Sequence, residues 1–218
     1  MRIGVLGGIG PEATGQFYLK LIKKLQSSGR IKENGDFPQI VVNSVPAPEL
    51  IGEVTDEQLE DYIRGIRELD EFDLDLIVMV CNTIHLFHER LQKDVATEIL
   101  DLREEVKKHL IEKGMKQVSI IGTSSTVAEG LYEFPGIRYI NPCEKELKVL
   151  GEAICKFNKG FQKQEQIASA MMVVDRCMCA GSECMVLACT EFAVMLADEE
   201  FPKLNTVDIL VDAVVKRL

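Results

Sequence analysis

An α/β architecture of two similar subdomains, each a mostly parallel sheet flanked by helices with a site between them, is what the sequence predicts on three observations. Apolar runs of strand length alternate with helical patterns along the 218 residues, as expected of parallel strands joined by helical crossovers. Two of those runs end in a cysteine and two polar residues, at Cys81-Asn-Thr and Cys189-Thr-Glu. Two others end in glycine and small residues, at Gly7-Gly-Ile-Gly10 and Gly122-Thr-Ser-Ser-Thr126. Aligning Gly7 with Gly122 and Cys81 with Cys189 superimposes the halves at nearly the same pitch, which reads as a diverged duplication.

Each element has a local reason. Arg2 to Leu6 reads as a buried strand broken by glycines, and Pro11 suits the first turn of a helix whose apolar face carries Phe17, Leu21 and Leu25. Residues 29–38 are polar and form a loop. Gln39 to Ser44 is a second strand that Pro46 and Pro48 stop. Thr55-x-x-Gln58 has the capping-box form, followed by Leu59, Ile63, Ile66 and Leu69 at helical spacing. That helix leads into the Cys81 strand. Thr83 to Leu91 looks helical, Thr97 to Leu100 reads as a short strand, and a charged helix runs to Lys113 and stops at Gly114. Strands at Gln117 to Ile121 and Ile137 to Ile140, a helical region from Glu144 to Ala180 broken near Gly160, and the Cys189 strand complete the second half. A last helix, Asp208 to Leu218, is expected to return to the first subdomain. The expected subdomains are therefore 1–98 plus 205–218, with Cys81, and 99–204, with Cys189.

Thirty-five acidic against 25 basic residues give a net charge of −10, which disfavours nucleic acid and anionic membrane surfaces as partners. A small molecule is the expected partner. No apolar stretch reaches the ~18 residues of a membrane span, and the amino terminus has no signal-peptide pattern. Seven cysteines, an odd number, sit mostly inside apolar runs. Reduced thiols in a cytoplasmic protein are the expectation.

A cysteine at a strand-to-helix junction lies near unpaired backbone N–H groups and a positive helix end, which favour thiolate. Two such groups on either side of a bound molecule suit symmetrical proton transfer: one removes a proton from carbon while the other supplies one from the opposite face. Inversion of a stereocentre follows. Asn82, Thr83, Thr190 and the hydroxyls of Thr123 to Thr126 are candidate carboxylate donors, together with N–H groups of the Gly7 to Gly10 loop. The same donors would stabilise the charge that develops on proton removal.

Other readings fit less well. Gly8-Ile-Gly10-Pro-Glu-Ala13 matches a dinucleotide fingerprint, yet Val42-Asn-Ser44 offers no acidic residue after the second strand, and no Gly-Lys-Ser/Thr marks a P-loop. Cys177, Cys179, Cys184 and Cys189 cluster in sequence, but Cys184 and Cys189 point to opposite faces of one strand and C-x-C is not a zinc spacing. Buried cysteines often act as small hydrophobes, a reading that suits one thiol better than two in repeated contexts. His85 and His88 lack a third metal ligand. His85 is expected to line the site and His88 to lie at the surface or cap a helix. Met171, Met172, Met178 and Met185 read as core filler, and Asp70 to Asp75 as a solvated face.

Gly4-Val-Leu-Gly-Gly-Ile-Gly-Pro-Glu-Ala-Thr14, Cys81-Asn-Thr-Ile-His85 and Ala188-Cys-Thr-Glu191 together resemble the opening and the two catalytic motifs of the cofactor-independent aspartate/glutamate racemases, most closely the aspartate-racemase branch. The resemblance covers most of the chain. It implies an amino-acid racemase in which Cys81 and Cys189 are the acid/base pair and no pyridoxal phosphate, other cofactor or metal is used. Substrate contacts are expected from Ile9, Asn82, Thr83, Thr123, Thr190 and Glu191, and Lys159 matches in position a substrate-binding lysine. A homodimer is the expected assembly. One departure stands out. Where that branch has Pro-Asp-Arg, with the arginine reaching the distal carboxylate of aspartate, this chain has Pro48-Glu49-Leu50, so the bidentate fork is missing. Either other groups hold aspartate, Lys159 among them, or a different or broader specificity follows. A one-cysteine isomerase or decarboxylase of small carboxylic acids stays open. A thiol redox protein is weaker, because neither key cysteine has a C-x-x-C partner.

Overall fold

A computed structural model describes residues 1–218. The first half contains β1 (Arg2–Gly7), α1 (Pro11–Ser27), β2 (Gln39–Ser44), α2 (Asp56–Asp70), β3 (Leu76–Met79) and α3 (His88–Gln92). The second contains α4 (Leu102–Glu112), β4 (Gln117–Gly122), α5 (Ser124–Ala128), β5 (Arg138–Tyr139), α6 (Glu144–Asn158), α7 (Lys163–Cys179), β6 (Cys184–Ala188), α8 (Thr190–Met195), β7 (Lys203–Asn205) and α9 (Thr206–Arg217). Strands form two parallel sheets, ordered β2-β1-β3 and β5-β4-β6-β7. Each is built about a central strand that ends in glycine. The cysteine-bearing strand is that strand's neighbour in both.

Period-two alternation explains how the sheets pack. Ile3 and Val5 of β1, Leu76 and Val78 of β3, Val118 and Ile120 of β4, and Cys184 and Val186 of β6 join one core of 30 buried residues with α1, α4 and α9. The other parity faces outward to a separate helix layer: Ile77 and Met79 meet α2 in one cluster, while Met185 and Leu187 meet α6 and α7 in another. Cys81 and Cys189 continue this second parity beyond their strands. They therefore occupy equivalent positions in the two sheets, both on the face away from the shared core.

Local signals match several elements. Thr55 Oγ1 accepts from the Gln58 N–H at 3.3 Å while Gln58 Oε1 accepts from the Thr55 N–H at 3.0 Å, closing the capping box, and Leu59, Ile63, Ile66 and Leu69 are buried below it. Gly114, at φ 64, ends the charged helix. The helical stretch to residue 180 divides at Gly160 into α6 and α7. The carboxyl-terminal helix α9 packs on α1 and α4 and also meets β6 and β7.

Other elements differ from expectation. Thr97 to Leu100 is no strand but a single parallel bridge between Ile99 and Ile77. Thr83 to Phe87 is a 3-10 turn, and regular helix begins only at His88. The strand expected at Ile137 to Ile140 shortens to two residues. Strand β7 carries no sequence pattern because its pairing with β6 creates it, Met185 to Leu187 lying opposite Lys203 to Asn205. Lys203 Nζ also donates to the carbonyls of Leu196 and Ala197 at 2.6 and 2.8 Å, and Asn205 Oδ1 caps α9. Met172 is 75% exposed rather than core, since it lies on the solvent side of α7. Asp70 and Asp75 are more than a solvated face; they accept backbone N–H groups of Ala96, Thr97 and Arg2.

Candidate active site

A cavity of about 190 Å³ lies where the two sheets present their carboxyl-terminal strand ends, and both Cys81 and Cys189 line it. The Gly8 to Pro11 loop, the segment Ala47 to Ile51, Thr83, Thr123, Ile154, Asn158 and Glu191 form the rest of its wall. Parallel strands make this placement a consequence of topology, because every loop that follows a strand emerges at the same end. Two larger grooves, about 610 and 780 Å³, flank the cavity and carry neither thiol.

The expected residues divide into three groups. Ile9, Cys81, Thr83, Thr123, Cys189 and Glu191 line the cavity. Asn82 and Thr190 are buried behind it: Asn82 Oδ1 accepts from the Tyr132 hydroxyl at 2.6 Å, which leaves Nδ2 without a partner, and Thr190 Oγ1 donates to Glu191 Oε2 at 3.2 Å. Lys159, at the carboxyl end of α6, lies in the larger neighbouring groove and not on the cavity wall. Its neighbour Asn158 faces the cavity instead, as the helical rotation of one position dictates.

Hydrogen bonds organise the two sides differently. On the first, Thr83 Oγ1 lies 3.0 Å from the hydroxyls of both Thr123 and Thr126, a three-hydroxyl cluster that joins the two halves. On the second, the Cys189 thiol donates to Glu191 Oε2 at 2.8 Å. Asn158 Nδ2 then donates to Glu191 Oε1 at 3.0 Å and to Glu49 Oε1 at 3.1 Å, and the Cys155 thiol to Glu49 Oε2 at 3.3 Å. Gly10, at φ 86, fits beneath this network because a Cβ there would lie 2.6 Å from Glu191 Oε1. Asn158, Cys155 and Tyr132 were not anticipated, since none belongs to a motif and helix packing alone brings them in.

Electrostatics correct the expectation of ready thiolates. Burial pushes the Cys81 thiol up to about 12 and the Glu191 charge adds to the effect, while N–H groups of Ile84 and Thr83 pull the other way. The Cys189 thiol is raised well above its ordinary value by burial and by Glu191. Desolvation wins because the turns after the cysteines offer few amides, those of Thr83 and Ile84 at Cys81 and that of Glu191 at Cys189. Both thiols are therefore held in the protonated form. His85 is buried, with both ring nitrogens unpartnered, and burial pushes its imidazole down to about 3, so it is neutral. It does not line the cavity; it stacks on His88, whose Nε2 meets the Ile99 carbonyl oxygen at 2.9 Å.

Comparison with known proteins places this geometry. The sequence profile described as Asp/Glu/hydantoin racemase matches residues 6–214. The broad specificity amino-acid racemase RacX of Bacillus subtilis (strain 168) is 29% identical over 133 residues, a match that spans 60% of this chain and 58% of the relative's own length. Among solved structures, an aspartate racemase of Picrophilus torridus superimposes with a TM-score of 0.80 at 23% identity, covering 99% of this chain and 93% of that one. A glutamate racemase of Francisella tularensis, in complex with D-glutamate, gives 0.72 at 17% identity, covering 100% and 80%. These structural likenesses are of the fold, whereas the profile match runs through both cysteine motifs and nearly the whole chain, and by it the chain belongs to the Asp/Glu/hydantoin racemase family.

Proposed function

We propose that the protein is an amino-acid racemase that inverts the α-carbon by two-base proton transfer between Cys81 and Cys189, without a cofactor. The observation that carries this reading is the delivery of two buried thiols to one cavity from equivalent positions of two sheets. The positive charge of an entering α-ammonium favours thiolate at Cys189, and Glu191 Oε2, 2.8 Å from Sγ, takes the thiol proton. The Cys189 thiolate then removes the α-proton from one face. Negative charge spreads into the substrate carboxylate, for which Thr83 and Thr123 supply hydroxyl donors. Cys81 delivers its proton to the other face and is left as thiolate. As product leaves, the proton held by Glu191 is released and Cys81 is reprotonated from solvent, while the same sequence run backwards from this thiolate serves the opposite enantiomer.

Exchange of the α-proton in deuterated water, measured with a panel of amino acids on the wild type and on Cys81→Ser and Cys189→Ser, tests the assignment. Exchange with inversion is expected in the wild type and loss of racemisation in both variants. Full racemisation by either variant would overturn the two-base mechanism.

A further inference from the structure

The charge of the cavity wall deepens this reading by naming a substrate class, and it rests on that reading. Fifteen residues line the cavity, among them Glu49 and Glu191, with no lysine, arginine or histidine. Neither carboxylate belongs to an ion pair. Glu191 is only 6% exposed, and its partners are a thiol, a hydroxyl and an amide. Glu49 has only the Asn158 amide and the Cys155 thiol. One side-chain nitrogen, Asn158 Nδ2, serves both carboxylates, so two like charges flank a single neutral donor. A buried carboxylate without a cation calls for one, and a second acidic group beside it repels an acidic side chain.

The same wall carries an apolar set, Ala47, Leu50, Ile51 and Ile154. Leu50 is 3% exposed and offers a surface for methylene groups where an arginine would have met a carboxylate. We infer that the substrate is an amino acid with a cationic side chain, a diamino acid such as ornithine or lysine, or arginine. Its α-ammonium pairs with Glu191, its methylene stem lies along Leu50 and Ile154, and its terminal cation reaches Glu49 at the exposed end of the cavity. Glu49 is thus a specificity residue, and it takes no part in proton transfer.

Racemisation of lysine, ornithine, norleucine, aspartate and glutamate by the wild type, followed as kcat/KM, is the first arm. Lysine or ornithine is expected to exceed norleucine, which has a similar stem without the charge, by at least about ten-fold, and aspartate and glutamate to be slowest. The second arm is Glu49→Gln, an exposed and nearly isosteric change, for which the lysine-to-norleucine ratio should fall about ten-fold. A third arm needs no variant: lysine should raise the wild-type Tm more than norleucine at equal concentration. If norleucine or aspartate racemises as fast as lysine, or if the ratio is unmoved in Glu49→Gln, the specificity assignment is wrong while the racemase reading stands. If no amino acid of the panel exchanges its α-proton, the racemase reading itself fails.

Discussion

Glu191 distinguishes the two thiols. Its position two residues after Cys189 puts a carboxylate 2.8 Å from Sγ, whereas the corresponding position after Cys81 is Thr83, whose hydroxyl bonds to Thr123 and Thr126. Glu191→Gln keeps the shape but cannot accept the Cys189 proton. Under the proposed two-base mechanism it is expected to lower kcat by about 10²-fold or more, within the range for loss of a positioned general base. Separate assays starting from each enantiomer check this: the direction in which Cys189 acts as base should suffer more in single-turnover α-proton abstraction. Equal loss in both directions would make Glu191 a binding group only. Cys81, Cys189 and the motif residues around them were legible in the sequence because a strand end that changes abruptly from apolar to Cys-polar-polar is a local pattern. Asn158 and Cys155 were not, because their relation to the cavity depends on how α6 is rotated against the first half.

Helix α2 approaches the first sheet closely at Gly65. A Cβ on Gly65 would come within 2.5 Å of Val45 Cγ2 and 3.0 Å of Leu6 Cδ1, while a Cβ on Gly15 in α1 would meet nothing within 4 Å. Both are interior helix glycines, for which alanine is normally worth up to about 1 kcal/mol. At Gly65 overpacking costs about 1–3 kcal/mol and outweighs that gain. Urea unfolding should therefore show Gly65→Ala destabilising by about 1–2 kcal/mol and Gly15→Ala stabilising by about 0.5–1 kcal/mol, both from the same balance of terms. A stabilised Gly65→Ala would mean that α2 can move away from the sheet at little cost. Helices with an internal signal, such as the capped α2 or the Gly114 stop of α4, were readable in advance. The 3-10 turn at Thr83 to Phe87 and strand β7 were not, since the Thr83 hydroxyl bonds to Thr123 and Thr126 and the pairing of β7 with β6 join segments distant in the chain.

At the scale of the molecule, burying two thiols links the site to stability at high pH. A thiol of ordinary value 9.0 that is pushed up to about 12 in the folded chain keeps its proton there while the unfolded chain loses it. Stability is thus fully present below pH 9 and falls as pH rises toward 12, by at most about 1.4 kcal/mol per pH unit for each thiol. Cys189 shifts in the same direction. Denaturation of the wild type and of Cys81→Ser with Cys189→Ser should show a shallower decline between pH 9 and 12 in the double variant, because serine does not titrate there. Tyr62 and Tyr132, also raised by burial, leave a residual slope in both. Identical slopes would mean that solvent reaches the thiols.

The sequence by itself determined the alternation of strands and helices, the duplicated strand-glycine and strand-cysteine endings, and hence the two parallel sheets and the family, because these rest on local pattern and period. Tertiary structure alone decided that the cavity wall holds Glu49, Leu50 and Asn158 instead of Lys159, and that its thiols rest protonated. Charge and burial at a point are sums over neighbours from distant segments, and no single stretch of chain carries that sum.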